Sequence, residues 1–334
     1  MITYTNKFGA PQALFNSVKN DPYNYSGNIS TTSLIGSPRV RMLLKKHDIE
    51  VDVRDSFFSL LGSAGHHCLE RSVDGLQGYL SLIESAKELD KSIVERDHKA
   101  ADYLRESADR LFPNIKENGV YVERRLSVTV DDWEISGAQD IYFGKEALLN
   151  DYKFTSTYAY SNASEKVEWK WQMSIYAFML RKNGFPCSKA SIVMLFRDWS
   201  KSKSEQNRAY PKNPWFIHDI NLASDEETEA YIRERMRIHK LAESGVDVEC
   251  TPHERWASAD TFAVIKKGGK RAISGAIFAD ERSALNFIKD GEHKHGPMEL
   301  DTRPGLSRKC ISFCSVSQFC EQFKKETKKI NDSI

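Results

Sequence analysis

The segment WEISGAQDIYFG (133–144), flanked by VYVERRLSVTV (120–130) and EALLNDYKFT (146–155), decides how the rest of the chain reads. Each piece is short and rich in β-branched or aromatic residues. Asp131-Asp132 and Gly144-Lys145 punctuate them, and runs of this kind between turn residues predict a three-stranded antiparallel meander. Upstream, the period changes. Thr32 to about Glu50 has apolar residues at helical spacing around Ser37-Pro38, and Asp55–Glu70 places Phe57, Phe58, Leu60, Leu61, Ala64 and Cys68 in the same way. Residues 75–112 are good helix formers, and residues 1–30, rich in Asn, Tyr and Gly, predict a mostly irregular arm.

Downstream, a helix is expected from about Ser164 to Lys182, stopped by Asn183-Gly184, with strands at 190–198 and 214–222. Ser224-x-x-Glu227 has the form of a capping box opening a charged helix to about Glu243. Beyond Gly245 come the β-like TFAVIKKGGKRAI, a short helix near Arg282–Lys289 and a cysteine-rich end, with Cys320 closing the expected ordered part. Three regions result: an N-terminal arm with helices (1–115), a small mixed sheet carrying a helix (116–245) and a C-terminal appendage (246–334). The class is α/β, and no G-x-G-x-x-G follows a strand, so a dinucleotide-binding fold is not expected.

Composition narrows the function. The chain has 334 residues, 40% of them hydrophobic and 28% charged, which is globular and excludes a disordered, collagenous or coiled-coil chain. Lys plus Arg number 48 and Asp plus Glu 47, so the net charge of +1 neither indicates nor excludes a nucleic-acid partner. No apolar run is long enough to span a membrane, and MITYTNKFGAPQ has no secretory pattern, so an intracellular, cytoplasmic protein is expected.

Asp140 lies 11 positions before Asp151, and Asp151 and Lys153 project from one face of the same strand. A hairpin can bring the two carboxylates together, where a hard cation such as Mg²⁺ or Mn²⁺ offsets their repulsion. A lysine there can orient water or counter charge on a phosphate, which is the chemistry of metal-assisted phosphodiester hydrolysis. The same pattern also occurs on solvated strands. Two further pairs add weight: His66 with Glu70, and Gln172 with Tyr176, each share one face of a helix.

In order, G-S-x-x-His66-x-x-x-Glu70, Gly137-x-x-Asp140, Asp151-x-Lys153 and Gln172-x-x-x-Tyr176 resemble the RecB-like branch of the PD-(D/E)XK nucleases. Thr32–Met42 is similar to the segment that opens many members, so the resemblance touches residues 30–180. It implies a restriction-endonuclease-like core, a small mixed sheet flanked by helices. His66, Asp140 and Asp151 would bind Mg²⁺ or Mn²⁺, Lys153 would be the catalytic lysine, and Gln172 and Tyr176 would shape the site and contact DNA. Glu123 is a further candidate, whereas His67 points about 100° away from His66 on the helix.

Cys310-x₃-Cys314-x₅-Cys320, with Cys250 upstream, supplies four thiolates that can close a site for zinc or an iron–sulfur cluster. Iron–sulfur exonucleases of the AddB and CRISPR-adaptation kinds carry a similar arrangement, with a first gap of two and an early cysteine where Ser37 stands here. The resemblance implies [4Fe–4S], with Zn²⁺ as the other option and Cys250 as the fourth ligand. Cys68 and Cys187 read as ordinary small apolar residues. Lys266, Lys267, Lys270 and Arg271 can meet DNA phosphates, although such a run also suits a solvated turn.

The expected activity is metal-dependent cleavage of DNA, as an exonuclease at ends or on single strands in recombination, repair or replication. A non-catalytic recombination accessory protein and an endonuclease with structural zinc are the alternatives. Without G-x-x-x-x-G-K-[ST], strand separation falls to a separate helicase or recombinase.

Overall fold

The structure, a computed structural model, describes residues 2–20, 27–70, 76–91, 94–112, 119–163 and 166–332. The N-terminal part holds β1 (Ile2–Thr5), α1 (Gln12–Lys19), β2 (Ile29–Ser30), α2 (Thr31–Ile35), α3 (Pro38–Lys46), β3 (Ile49–Asp52) and α4 (Val53–Glu70). Helices α5 (Leu76–Asp90) and α6 (Glu95–Leu111) follow. The meander is β4 (Val120–Val130), β5 (Trp133–Phe143) and β6 (Leu148–Thr155). After it come α7 (Tyr158–Ser161), α8 (Val167–Lys182), β7 (Lys189–Phe196), α9 (Lys201–Gln206), β8 (Trp215–Asp219) and α10 (Asp225–Glu243). The end holds α11 (Pro252–Arg255), β9 (Thr261–Lys266), β10 (Ala272–Phe278), α12 (Glu281–His295), β11 (Met298–Arg303), α13 (Arg308–Ser312) and α14 (Glu321–Asp332). The protein is mixed α/β.

Two compact units emerge: residues 4–35 with 50–239, and residues 1–3, 36–49 and 240–334. In the larger unit, β2, β5, β6, β7 and β8 form one path, and β4 pairs with β5 along its length. β6 and β7 are parallel, so a crossover must join them, and α8 supplies it. Residues 173–180 of α8 are buried throughout, a helix covered on most sides, with Leu149, Ile192 and Met194 in the same core. Val120, Val122 and Ile141 form a second cluster with Tyr79 and Phe112, so β5 is covered on both faces and buries even its polar Ser136 and Gln139.

The pairings of β5 position the site. Ile135 and Ser136 pair with β2, and residues 141–143 pair with β6. Gly137–Asp140 lie between these two pairings, where the sheet opens.

The smaller unit carries an antiparallel sheet of order β10-β9-β11, with α12 packed through Ala284, Phe287 and Ile288. Three expectations need correction. Residues 1–30 hold α1 and two strands in place of an irregular arm; β11 follows the helix near residue 282; and the chain continues beyond Cys320 as α14. Glu321-x-x-Lys324 spacing and strong helix formers explain α14, and Lys324 does pair with Glu321. Among the described residues, no helix is long and apolar enough to cross a membrane.

Candidate active site

Six elements of the larger unit line one cleft of about 1010 Å³. α4 can approach β6 because residue 65 is glycine: a Cβ there would lie 2.0 Å from Phe154 Cζ. That contact brings His66 to the open edge. Its Nε2 is 3.0 Å from the Tyr152 carbonyl, and its Nδ1 is 3.4 Å from Glu123 Oε1 and 3.6 Å from Asp140 Oδ1. Nε2–H donates to the carbonyl and, on the protonated ring, Nδ1–H donates to Glu123; once that proton leaves, the Nδ1 lone pair is turned toward the carboxylates, as in histidines that bind metals. The side chain of Glu70 lies outside the described residues.

Asp140 Oδ2 accepts the Tyr152 backbone N–H at 2.6 Å, so a side chain takes the place of a ladder bond where β5 and β6 part. Continuing the Ile141↔Asn150 register by one step sets Asp140 opposite Asp151. Asp151 is only 3% exposed; Gln172 Nε2 donates to its Oδ1 at 3.0 Å, and Lys153 Nζ is 2.7 Å from its Oδ2. Tyr176, one turn beyond Gln172 on α8, is buried against Gly137, where a Cβ would come within 2.6 Å of its ring. His67 also lines the cleft.

Glu123 is more central than its sequence signal suggested. Ligand atoms of His66, Glu123 and Asp140 lie within 4.8 Å of one another, close enough to share one cation. Asp151 stands beside this trio with its oxygens directed at Gln172 and Lys153. Glu123 has φ of +46° within a strand, a conformation disfavoured for a side-chain-bearing residue and of the kind found at functional sites. No local pattern announces it.

The charges are mutually dependent. Burial, and then the charge of Asp151, pushes the Asp140 carboxyl up to about 7. The hydrogen bond that His66 donates to Glu123, with the charge of Asp140 acting against burial, raises His66 to about 9. Burial disfavours the Lys153 ammonium, but Asp151 and Asp140 outweigh it and its pKa is raised.

A bound cation must therefore displace protons from Asp140 and His66. Mn²⁺ affinity is expected to rise with pH, first as Asp140 ionises near about 7 and again towards about 9 as His66 loses its proton. Calorimetry across buffers of different ionisation enthalpy should show proton release. Affinity independent of pH from 6 to 9 would remove both groups from the ligand set.

The smaller unit gathers the second set of candidates. Cys250, Cys310, Cys314 and Cys320 line one narrow cavity of about 20 Å³. Cys250 precedes Thr251, which forms a capping box with Glu254 on α11, and Gln322 clamps the Cys250 backbone through bonds of 2.8 and 2.9 Å. Cys310 lies on α13, and Cys320 precedes α14, its carbonyl accepting Lys324 N–H at 3.1 Å. Burial, and then the neighbouring Cys314, Cys250 and Cys320, pushes the Cys310 thiol up to about 11. Cys187 is buried as expected, but Cys68 is exposed on α4. Lys266, Lys267, Lys270 and Arg271 are all exposed around the β9–β10 connection.

The sequence matches no protein-family model, and no curated protein matches it. Solved structures bear a distant likeness, among them the following three. One is SSO0001, at 14% identity and a TM-score of 0.34, covering 69% of this chain and 85% of that one. Another, provisionally called an exonuclease, is from Eubacterium rectale, at 13% identity and a TM-score of 0.31, covering 57% and 69%. The third is a phage-related exonuclease from Haemophilus somnus 129PT, at 16% identity and a TM-score of 0.25, covering 52% and 85%. Scores this low carry no argument about fold or activity, so the functional reading stands on the site.

Proposed function

We propose that the chain is a metal-dependent deoxyribonuclease of RecB-like PD-(D/E)XK type, acting as an exonuclease on DNA ends or single strands. The observation that carries this reading is the convergence of His66, Glu123 and Asp140 beside the Asp151–Lys153 pair. One imidazole nitrogen among carboxylate oxygens suits Mg²⁺ or Mn²⁺, and two carboxylates that raise each other's cost of ionisation favour a cation between them. His66, Asp140 and Asp151 would hold the ion, with Glu123 as a further ligand. When bound, it would neutralise phosphate charge and activate water.

The chain's own groups do the rest. Gln172 fixes the Asp151 carboxylate, and the Tyr152 carbonyl fixes the His66 ring. Lys153 presents an ammonium to the phosphate, countering the charge that grows as water attacks phosphorus in line and the bridging P–O bond breaks. Tyr176 shapes the wall around Gly137.

The four cysteines would hold a second group. The resemblance favours [4Fe–4S] over Zn²⁺, and either group would tie α13 and α14 to the Cys250 segment. A helicase or recombinase would act beside it in recombination, repair or replication.

End-labelled linear and circular single-stranded DNA, each digested with Mn²⁺, separates the modes. Loss of linear DNA alone supports the exonuclease, and cutting of the circle identifies an endonuclease. Lys266, Lys267, Lys270 and Arg271 would contact phosphates. The paired change Lys270→Glu and Arg271→Glu should weaken DNA binding and flatten the fall of log K with log salt by about two ion equivalents, leaving the metal requirement intact. An unchanged salt slope in fluorescence anisotropy returns the run to a solvated turn.

A further inference from the structure

The start of α3 meets the cysteine cavity at two points. Ser37, immediately before the helix, is 7% exposed; its Oγ accepts the Val40 N–H at 3.4 Å as an N-cap and lies 3.0 Å from Cys250 Sγ. A thiolate has no proton to give. With Val40 bonding to its lone pair, the Ser37 hydroxyl is free to donate its own proton to that sulfur.

Arg39 is likewise 7% exposed and held in three directions. Nε donates to the Val248 carbonyl at 3.0 Å, Nη2 pairs with the Asp247 carboxylate, and Nη1 points at Cys320 Sγ, 4.0 Å away. Two of those bonds go to the segment leading into Cys250, and the third goes to another cysteine. Of the other cations on the cavity wall, Arg255 binds Glu326 and Ser307 through Nη1, and Lys309 lies over the Trp256 ring.

We infer that Ser37 and Arg39 are the hydrogen-bond donors to the sulfurs of Cys250 and Cys320 and set how firmly the cysteine site retains its metal. The inference rests on the reading that the four cysteines bind a metal group. Thiolates crowded into a narrow, largely buried cavity repel one another and lack water. A hydroxyl dipole on one sulfur and a guanidinium on another offset that cost, and hydrogen bonds to thiolate sulfur also raise the reduction potential of an iron–sulfur group.

The test uses full-length protein purified anaerobically, its metal content measured by elemental analysis and its rate of metal release followed with a colorimetric chelator. Ser37→Gly removes the hydroxyl while leaving a nearly equivalent N-cap, and Arg39→Met removes the cation. Loss of an outer-shell partner weakens metal sites about 10–100-fold, so release should accelerate about tenfold in Ser37→Gly and up to about 100-fold in Arg39→Met. Ser37→Thr, which keeps the hydroxyl, should release metal at the wild-type rate. If the group is redox-active, the potential of Arg39→Met should fall, a change that loss of packing alone does not predict. Should Arg39→Met fail to fold by circular dichroism, Ser37→Gly against Ser37→Thr decides. A wild-type protein that holds metal, with Ser37→Gly releasing it no faster, overturns the inference and leaves the cysteine reading standing. A wild-type protein with no metal overturns both.

Discussion

Asp151→Asn is expected to lower the rate of DNA cleavage by at least about 10²-fold while leaving the fold intact. The carboxylate is almost fully buried, and it is the partner of both Gln172 and Lys153. Asparagine keeps the shape and can still bond to Gln172, but it loses the charge that binds a cation and steadies the ammonium. Losing one preorganised electrostatic element at a reaction centre commonly costs about 10²–10³ in rate, about 2.7–4 kcal/mol of barrier. The same change relieves repulsion on Asp140, whose raised pKa owes part of its shift to Asp151. The Asp140 carboxyl should therefore ionise at lower pH in the variant, a shift readable by NMR titration. Lys153→Met provides the control: cleavage should fall comparably while Mn²⁺ binding persists, because an ammonium does not coordinate metal. Wild-type turnover in Asp151→Asn would place the chemistry elsewhere.

The second large effect concerns the cysteines. Cys314 is the least buried of the four, so serine there disturbs packing little and isolates the loss of ligation. Thiolate–metal bonds formed only in the folded state contribute folding free energy, of order 10 kcal/mol in zinc-finger peptides. Cys314→Ser should accordingly release the metal and lower the melting temperature by many degrees, whereas Cys187→Ser, away from the cavity, should leave the metal content unchanged. Equal melting curves and equal metal content for wild type and Cys314→Ser would remove the ligation idea.

Local chemistry made much of this fold legible. Asp131 and Asp132 mark the first turn of the meander, and β4 and β5 pair right up to Val130↔Trp133 around it. Ser224 and Glu227 form the reciprocal capping bonds their spacing predicts, at 3.1 and 3.0 Å. Ser37-Pro38 starts α3 because serine caps and proline is tolerated in the first turn.

Other features were hidden because their causes are not local. β2 is two residues long and exists only through pairing with Ile135 and Ser136, more than a hundred positions away. The site shows both sides of this limit. His66, Asp140, Asp151, Lys153 and Gln172 could be proposed from spacing only together with the family resemblance, since helix and strand periods fix which side chains share a face but not what they bind. Glu123 could not be ranked properly, because its place depends on a left-handed backbone within an otherwise ordinary strand. Nor does sequence reveal that Gly65, rather than Gly62, is the contact that lets α4 reach β6: a Cβ at 62 would meet nothing within 4 Å.

The central claim is that this cleft hydrolyses DNA with a divalent cation, and digestion of end-labelled linear DNA by the purified protein tests it most directly. Parallel reactions contain Mg²⁺, Mn²⁺ or EDTA, with Asp151→Asn run beside wild type to exclude a contaminating nuclease. The account predicts cleavage by wild type with Mg²⁺ or Mn²⁺, none with EDTA, and at least about a 10²-fold loss in the variant. Intact DNA with both metals, or cleavage that persists in EDTA, would contradict it.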